Sequence, residues 1–432
     1  MSPTIESALP GKTRLERLTN GLTVCLVDNP QAPLVTAALF YRAGTRDEVA
    51  GHGGTAHFLE HMMFKGSTAY GPGEIDRRTQ ALGGVNNAFT SHDVTAYYFN
   101  FAADRWTEAL AIEADRMMNL TLDPEHVASE RQVILEEIAM YDSEPWDSLE
   151  MAVQDKLFTP HSYGRPVLGT REELLATGAD ELRAFHRRFY RPDNAVLVVA
   201  GDLAGGAPGR DNGDRALAEV ERVLGGLPAG AERRADPTPP TVLPSTLTRL
   251  ERRKGEVARL MVALAAPPAG HPDHPLLKLA MTLLAGGKTG RLHQDLVEER
   301  QLCVWVSADI SEGIDASHMQ ISAEVVPGVE PAEVEERLLR HLADLAEQPV
   351  PADELDRARQ IALADWVFNH EKVHQQAVSA GLGLALFDPG YLDRHLRGQL
   401  EADSARLLEV TVRYLHPDRG GVVGWSLPRV ES

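Results

Sequence analysis

The sequence predicts an α+β protein built from two domains of one fold, and three observations carry that expectation. Segments with the two-residue alternation of half-buried strands are interleaved with segments whose apolar residues recur every three to four positions, in a similar succession in each half. Residues 225–244 are crowded with proline, glycine and charge, from Gly225-Gly226-Leu227-Pro228 to Pro237, Pro239, Pro240 and Pro244, the composition of a linker. Finally, Tyr190-Arg191-Pro192-Asp193 ahead of Val196 and Gly201 is echoed by Tyr414-Leu415-His416-Pro417-Asp418 ahead of Val422 and Gly424. Residues 1–224 therefore read as one domain, 225–244 as the linker and 245–432 as the second copy. Each copy is expected to be an antiparallel-rich mixed sheet covered by helices.

Taken in order, residues 1–12 read as a loose tail. Leu18–Asp28 and Leu34–Arg42 alternate and are rich in β-branched residues, so they read as two antiparallel strands leading to the Gly53-Gly54 turn. The mostly apolar run Thr55–Phe64 is a buried helix, and a second helix is expected over Pro72–Leu82. Val85–Thr90 and Val94–Phe101 read as strands, followed by an amphipathic helix over Asp104–Leu120. Asp123 as N-cap and Pro124 at the first helical position start a further helix that runs to about Tyr141. Ala195–Ala200 is a buried strand closing the first half. In the second half, Pro275–Leu284 takes the place of the Thr55–Phe64 helix.

Composition narrows the function. With 43% hydrophobic residues in 432, substantial cores are available. A net charge of −20 without any offsetting basic run excludes a nucleic-acid surface and describes an acidic solvated one. The two cysteines, Cys25 and Cys303, lie in apolar strand-like contexts and are expected as buried free thiols, which fits a reducing compartment. No apolar leader precedes a cleavage site and no stretch approaches 18 apolar residues, so a cytoplasmic protein without a membrane segment is expected.

The chemistry is concentrated on the Thr55–Phe64 helix. His57 and His61 are four residues apart, so both imidazoles leave one face at a separation that two zinc ligands can share. Glu60 is near enough to reach a water on the ion without itself being a ligand. The order is His-x-x-Glu-His, the inverse of the commoner His-Glu-x-x-His. A third ligand is needed. On the helix after Asp123, Val127, Glu130, Ile134, Glu137, Ile138 and Tyr141 fall on one side, while Glu136 points away. Two carboxylates in an apolar stripe require a cation or strong donors facing them. Glu137 is accordingly read as the third zinc ligand, and Glu130 as a second carboxylate of the catalytic centre that holds a ligand histidine by its other ring nitrogen.

His57-x-x-Glu60-His61 with Glu130 and Glu137 resembles the inverted-motif zinc peptidases of the pitrilysin family. Leu18–Val24, Gly83–Thr90, Gly164–Gly169, and Tyr190–Asn194 through Gly201-Asp202 resemble further family landmarks in family order. The resemblance implies a zinc endopeptidase acting on peptides or short unfolded segments. It also implies that Val85–Thr90 pairs with an extended substrate, with Asn87 and Ala88 at the contact. Family members usually carry an Arg and, seven residues later, a Tyr in the second half to contact substrate and transition state. Here the matching positions are Val297 and Val304. A chain of this length matches half of the family's four-domain clamshell. The expectation is therefore a catalytic subunit whose related partner chain supplies the Arg/Tyr pair, a heterodimer in preference to a homodimer.

A rival signature, His370-Glu371-Lys372-Val373-His374, has the order of ordinary zincins. It lacks a third ligand, since Ala377 and Ala380 exclude one extension and no Glu occurs from 375 to 400. It reads as a solvated helix surface. His161 reads as a turn residue. The alternatives to a peptidase are a structural subunit, which has no use for His57, Glu60 and His61, and a peptide-binding subunit that keeps metal without turnover.

Overall fold

In the computed structural model, which describes residues 8–9, 11–204, 212–230 and 245–429, two mixed sheets organise the chain. The first contains β1 (Lys12–Arg17), β2 (Thr23–Asp28), β3 (Leu34–Tyr41), β4 (Val85–Thr90), β5 (Thr95–Ala102) and β6 (Ala195–Gly201), in the order β1-β2-β6-β3-β5-β4. The second contains β7 (Leu247–Arg253), β8 (Arg259–Ala266), β9 (Cys303–Ile310), β10 (Ser317–Val325) and β11 (Gly421–Leu427), in the order β7-β11-β8-β10-β9. If β1 is set aside, the two orders are the same. Each sheet also has one parallel pair at the same place, β2 with β6 and β11 with β7, all other neighbours being antiparallel. The echoed Tyr-x-(x)-Pro-Asp segments form the 3-10 turns Pro192–Asn194 and Pro417–Arg419 that deliver β6 and β11. The fold is thus α+β with one sheet topology used twice.

The helices are α1 (Thr55–Met62), α2 (Glu74–Ala81), α3 (Thr107–Asn119), α4 (Pro124–Ser143), α5 (Pro145–Phe158), α6 (Arg171–Ala176), α7 (Ala179–Phe189), α8 (Asn212–Leu224), α9 (His274–Ala285), α10 (Pro331–Glu347), α11 (Ala352–Asn369), α12 (Val373–Leu386), α13 (Tyr391–Leu400) and α14 (Ser404–Tyr414). One face of the first sheet, including Val24, Leu26, Leu39, Tyr97 and Leu197, packs on helices of its own half. The other face, including Cys25, Val27, Phe40 and Val198, packs on Ala377, Ala380 and Ala385 of α12, from the second half. Reciprocally, Leu149, Val153 and Leu157 of α5 pack on Met261, Ala263 and Val422 of the second sheet. Two helices therefore cross the boundary drawn from the sequence. Burial on both faces is also why β6 reads as an uninterrupted apolar run.

Several expectations need correction. Leu18–Asp28 is not one strand: Leu18 N donates to Leu22 O and Gly21 (φ 88°) turns the chain, so β1 and β2 form a hairpin about the Asn20-Gly21 turn. β2 and β3 do not pair with each other, because β6 lies between them. This insertion joins residues about 170 apart and leaves no local trace in the pattern. Within residues 1–12, Ala8 and Leu9 are buried, and Ala8 is held by Asp393 and by the Trp366 indole, while Lys12 opens β1. Residues 1–7, 10 and 231–244, which include most of the expected linker, lie outside the described residues.

A buried polar clamp also joins the halves. The Arg46 guanidinium donates to both Asp315 carboxylate oxygens at 3.0 and 3.1 Å. The Tyr163 hydroxyl donates to the Asp93 carboxylate, which also accepts from Ile314 N at 3.1 Å. Cys25 and Cys303 are buried and free. Among the described residues, no helix is long and apolar enough to cross a membrane.

Candidate metal centre

The position of α1 is fixed from its N-terminus. Gly54 adopts φ 83°, and a Cβ there would lie 2.2 Å from Leu168 O; Gly169 adopts φ 70°, and its Cβ would lie 2.3 Å from Gly53 O. Two glycine turns therefore interlock, which brings the loop before α6 against the start of α1. Since Gly54 has no capping side chain, the Glu48 carboxylate takes that role, accepting from Gly54 N at 3.0 Å and Ala56 N at 2.8 Å. Burial pushes Glu48 up to about 8 despite those bonds. Ala56, Phe58, Leu59 and Met62 then enter the core, and His57, Glu60 and His61 are left facing a cleft of about 710 Å³.

Glu137 reaches that cleft from α4, which Asp123 caps by accepting from Glu125 N at 2.8 Å. Glu137 Oε2 lies 3.9 Å from His57 Nε2 and 3.6 Å from His61 Nε2. These three side chains form the one group of potential metal-ligating residues among those described. Ligands about 2.1 Å from a tetrahedral zinc lie roughly 3.4 Å apart, so the observed spacing needs little adjustment. Two imidazoles and one carboxylate are also the donor set of an open zinc site. Burial, with His61 beside it, holds His57 down to about 3, so the ring is neutral and its lone pair is available. Burial likewise pushes Glu60 and Glu137 above the ordinary carboxylate range. A cation between them would relieve that cost.

The other sequence-derived residues are placed as follows. Glu130 is buried behind His61, where Oε1 accepts from His61 Nδ1 at 2.9 Å and Oε2 meets Lys65 Nζ at 2.6 Å. It does not line the cleft and touches the site only through the His61 ring, the place expected of a carboxylate that holds a ligand histidine by its other nitrogen. Ala88 lines the cleft, whereas Asn87 is exposed and uses its side-chain oxygen to accept from Ala88 N. Both lie on β4, whose outer edge is unpaired among the described residues. Val297 packs on the second core and Val304 is 55% exposed on β9; neither lines the cleft. The rival His370 is not on a solvated surface: it is buried, with Nδ1 bonded to Trp366 O and Nε2 to Ser379 Oγ. His374 instead packs its ring on Tyr98. His161 accepts from Tyr163 N and faces Asp315, within the clamp.

Three neighbours of the site escape sequence reasoning. Thr90 donates to Glu60 Oε2 at 2.5 Å, Lys65 backs Glu130, and Glu48 caps α1. Only Lys65 carries a usable signal, being four residues beyond His61.

A family model described as insulinase (peptidase family M16) matches residues 23–171, and one described as the peptidase M16 inactive domain matches residues 178–362. An uncharacterized zinc protease of Bacillus subtilis is 31% identical over 307 residues, covering 70% of this chain and 71% of its own. In fold, the chain resembles a protease from Helicobacter pylori with a TM-score of 0.88 at 24% identity, covering 97% and 100% of the two chains. It also resembles the periplasmic protease PqqL from Escherichia coli, with a TM-score of 0.75 at 20% identity, covering 98% of this chain and 48% of that one. The family matches and the Bacillus relative together lead to one conclusion: this chain belongs to peptidase family M16, the pitrilysin family.

Proposed function

We propose that this chain is a zinc endopeptidase that hydrolyses peptides or short unfolded segments, and that it is the catalytic member of a pair of related chains. The observation that carries the proposal is the approach of His57 Nε2, His61 Nε2 and Glu137 Oε2 to one another, with the Glu60 carboxylate in the same cleft. In this reading residues 1–224 form the catalytic domain and 245–432 its metal-free copy.

Zinc, when bound, polarises the scissile carbonyl and makes a water acidic enough to attack near neutral pH. The chain's own residues do the rest. His57 and His61 offer neutral imidazoles, and Glu130 fixes the His61 ring by accepting from Nδ1, so that Nε2 faces Glu137. Glu60 takes the proton of the attacking water and returns it to the departing amine. The open edge of β4, at Asn87 and Ala88, receives the peptide as an added strand.

Developing negative charge on the carbonyl oxygen needs donors besides the ion, and the cleft offers Tyr141, Gln154 and one basic side chain among the described residues, Arg171, in place of the family's Arg/Tyr pair. With Val297 and Val304 at the family's Arg/Tyr positions, a homodimer would have no such pair. A related partner chain supplies it in our reading. That PqqL is about twice as long agrees with one chain being half of a clamshell. The free buried thiols of Cys25 and Cys303 suit the cytoplasm.

The test is peptide turnover by zinc-loaded chain, alone and with a co-expressed related chain, against Glu60→Gln. Turnover should rise when the partner is present and vanish in Glu60→Gln with zinc retained. Full activity of the isolated chain would refute the division of labour, and activity surviving in Glu60→Gln would refute the role of Glu60.

A further inference from the structure

We propose that Thr90 is the positioning residue of the Glu60 carboxylate, and that through it the catalytic base is tied to the strand on which the peptide is laid. The inference rests on the peptidase reading above.

Glu60 has three rotatable bonds and stands on a helix, with nothing in α1 itself to select one orientation of its carboxylate. Thr90, the last residue of β4, supplies the constraint. Its Oγ1 donates to Glu60 Oε2 at 2.5 Å, at the short end for a hydroxyl donating to an ionised carboxylate. Among the described residues, Glu60 makes no other side-chain hydrogen bond, which leaves Oε1 for the water. Division of labour between the two oxygens suits a base that must be held and must also accept a proton.

The donor is itself held. Thr90 is β-branched, which limits its χ1 choices. Its backbone pairs with Thr95 on β5, and the Thr95 hydroxyl donates to Ala43 O at 3.0 Å. The position of Oγ1 is therefore set by the sheet and not by α1. Since Ala88 and Thr90 both line the cleft from one edge strand, a peptide adding to β4 is registered against the same backbone that orients the base. Substrate and base then share one frame, as the geometric tolerance of catalysis requires.

Thr90→Val keeps the shape and removes the donor, while Thr90→Ser keeps the donor and removes the methyl group. For the zinc-loaded protein with its partner, Thr90→Val should bind zinc as tightly as wild type in chelator competition. It should lose about ten- to a hundredfold in kcat, with KM little changed. Thr90→Ser should recover most of that loss. Crystal structures of the two variants should show the Glu60 carboxylate displaced in Thr90→Val and in place in Thr90→Ser. Wild-type kcat with an unmoved Glu60 in Thr90→Val would overturn the proposal. A Thr90→Ser variant as slow as Thr90→Val would also overturn it, because the methyl group would then be what matters. If the wild-type protein turns over no peptide, the peptidase reading fails, and the position of Glu60 in Thr90→Val still decides the role of Thr90.

Discussion

Lys65, Glu130 and His61 form a short hydrogen-bonded chain behind the candidate metal site, and its geometry shows what single residues contribute. A carboxylate buried beside an imidazole costs desolvation, which Lys65 at 2.6 Å and the His61 Nδ1–H at 2.9 Å offset. Removing the carboxylate frees the His61 ring to turn. Glu130→Ala is therefore expected to weaken zinc binding about 10- to 100-fold, measured by chelator competition, with His57 and Glu137 intact. Unchanged affinity would show that packing alone sets the His61 ring. At this scale the sequence was informative wherever helix geometry governs. His57 and His61 are one turn apart, and Glu130 and Glu137 stand out as carboxylates in the apolar stripe of α4. Thr90 was illegible because it stands on β4, 30 residues from Glu60, and no periodicity encodes the approach of that strand to α1.

Among the elements, α12 depends on a single small residue where it meets the first sheet. A Cβ at Gly381 would lie 2.0 Å from the Phe40 ring, so α12 sits on the first sheet only because that position is bare. Gly381→Ala must push the helix or the ring aside, and a loss of about 1–3 kcal/mol is expected from urea denaturation. A neutral or stabilising result would mean that the helix–sheet contact is looser than described. The same exchange explains what the sequence concealed. α5 and α12 are absent from the expected elements, and even a pattern of burial does not say which sheet a helix covers. The β1–β2 hairpin was missed for the opposite reason, since alternation continues on both sides of the Asn20-Gly21 turn that breaks the strand. Strands β4 and β6 and helices α3 and α4 were legible to within a few residues, because their own periods are strong.

For the whole molecule, the clamp between the halves and a set of buried histidines govern stability. Arg46→Ala strands Asp315 with much of its charge uncompensated in the interior, and a loss of roughly 3–5 kcal/mol is expected in denaturation. A loss near zero would mean that water reaches the clamp. Burial holds His92, His186, His274, His318 and His395 each down to about 4. Unfolded, they titrate near 6.5. Between those values the unfolded chain binds protons that the native chain does not, so stability falls as pH falls, by roughly 1.4 kcal/mol per pH unit for each histidine. The urea midpoint of metal-free protein should drop steeply from pH 7 to pH 5, and a flat profile would contradict the burial of these rings. The duplicated topology itself was legible from one Tyr…Pro-Asp echo, since both copies of it lead into the strand that makes the parallel pair. The central claim is that His57, His61 and Glu137 converge on one ion, and metal analysis joined to X-ray absorption of the purified chain tests it most directly. One zinc per chain with two imidazoles and a carboxylate oxygen is expected, lost in His57→Ala and in Glu137→Ala. Stoichiometric zinc that survives both substitutions would contradict the account.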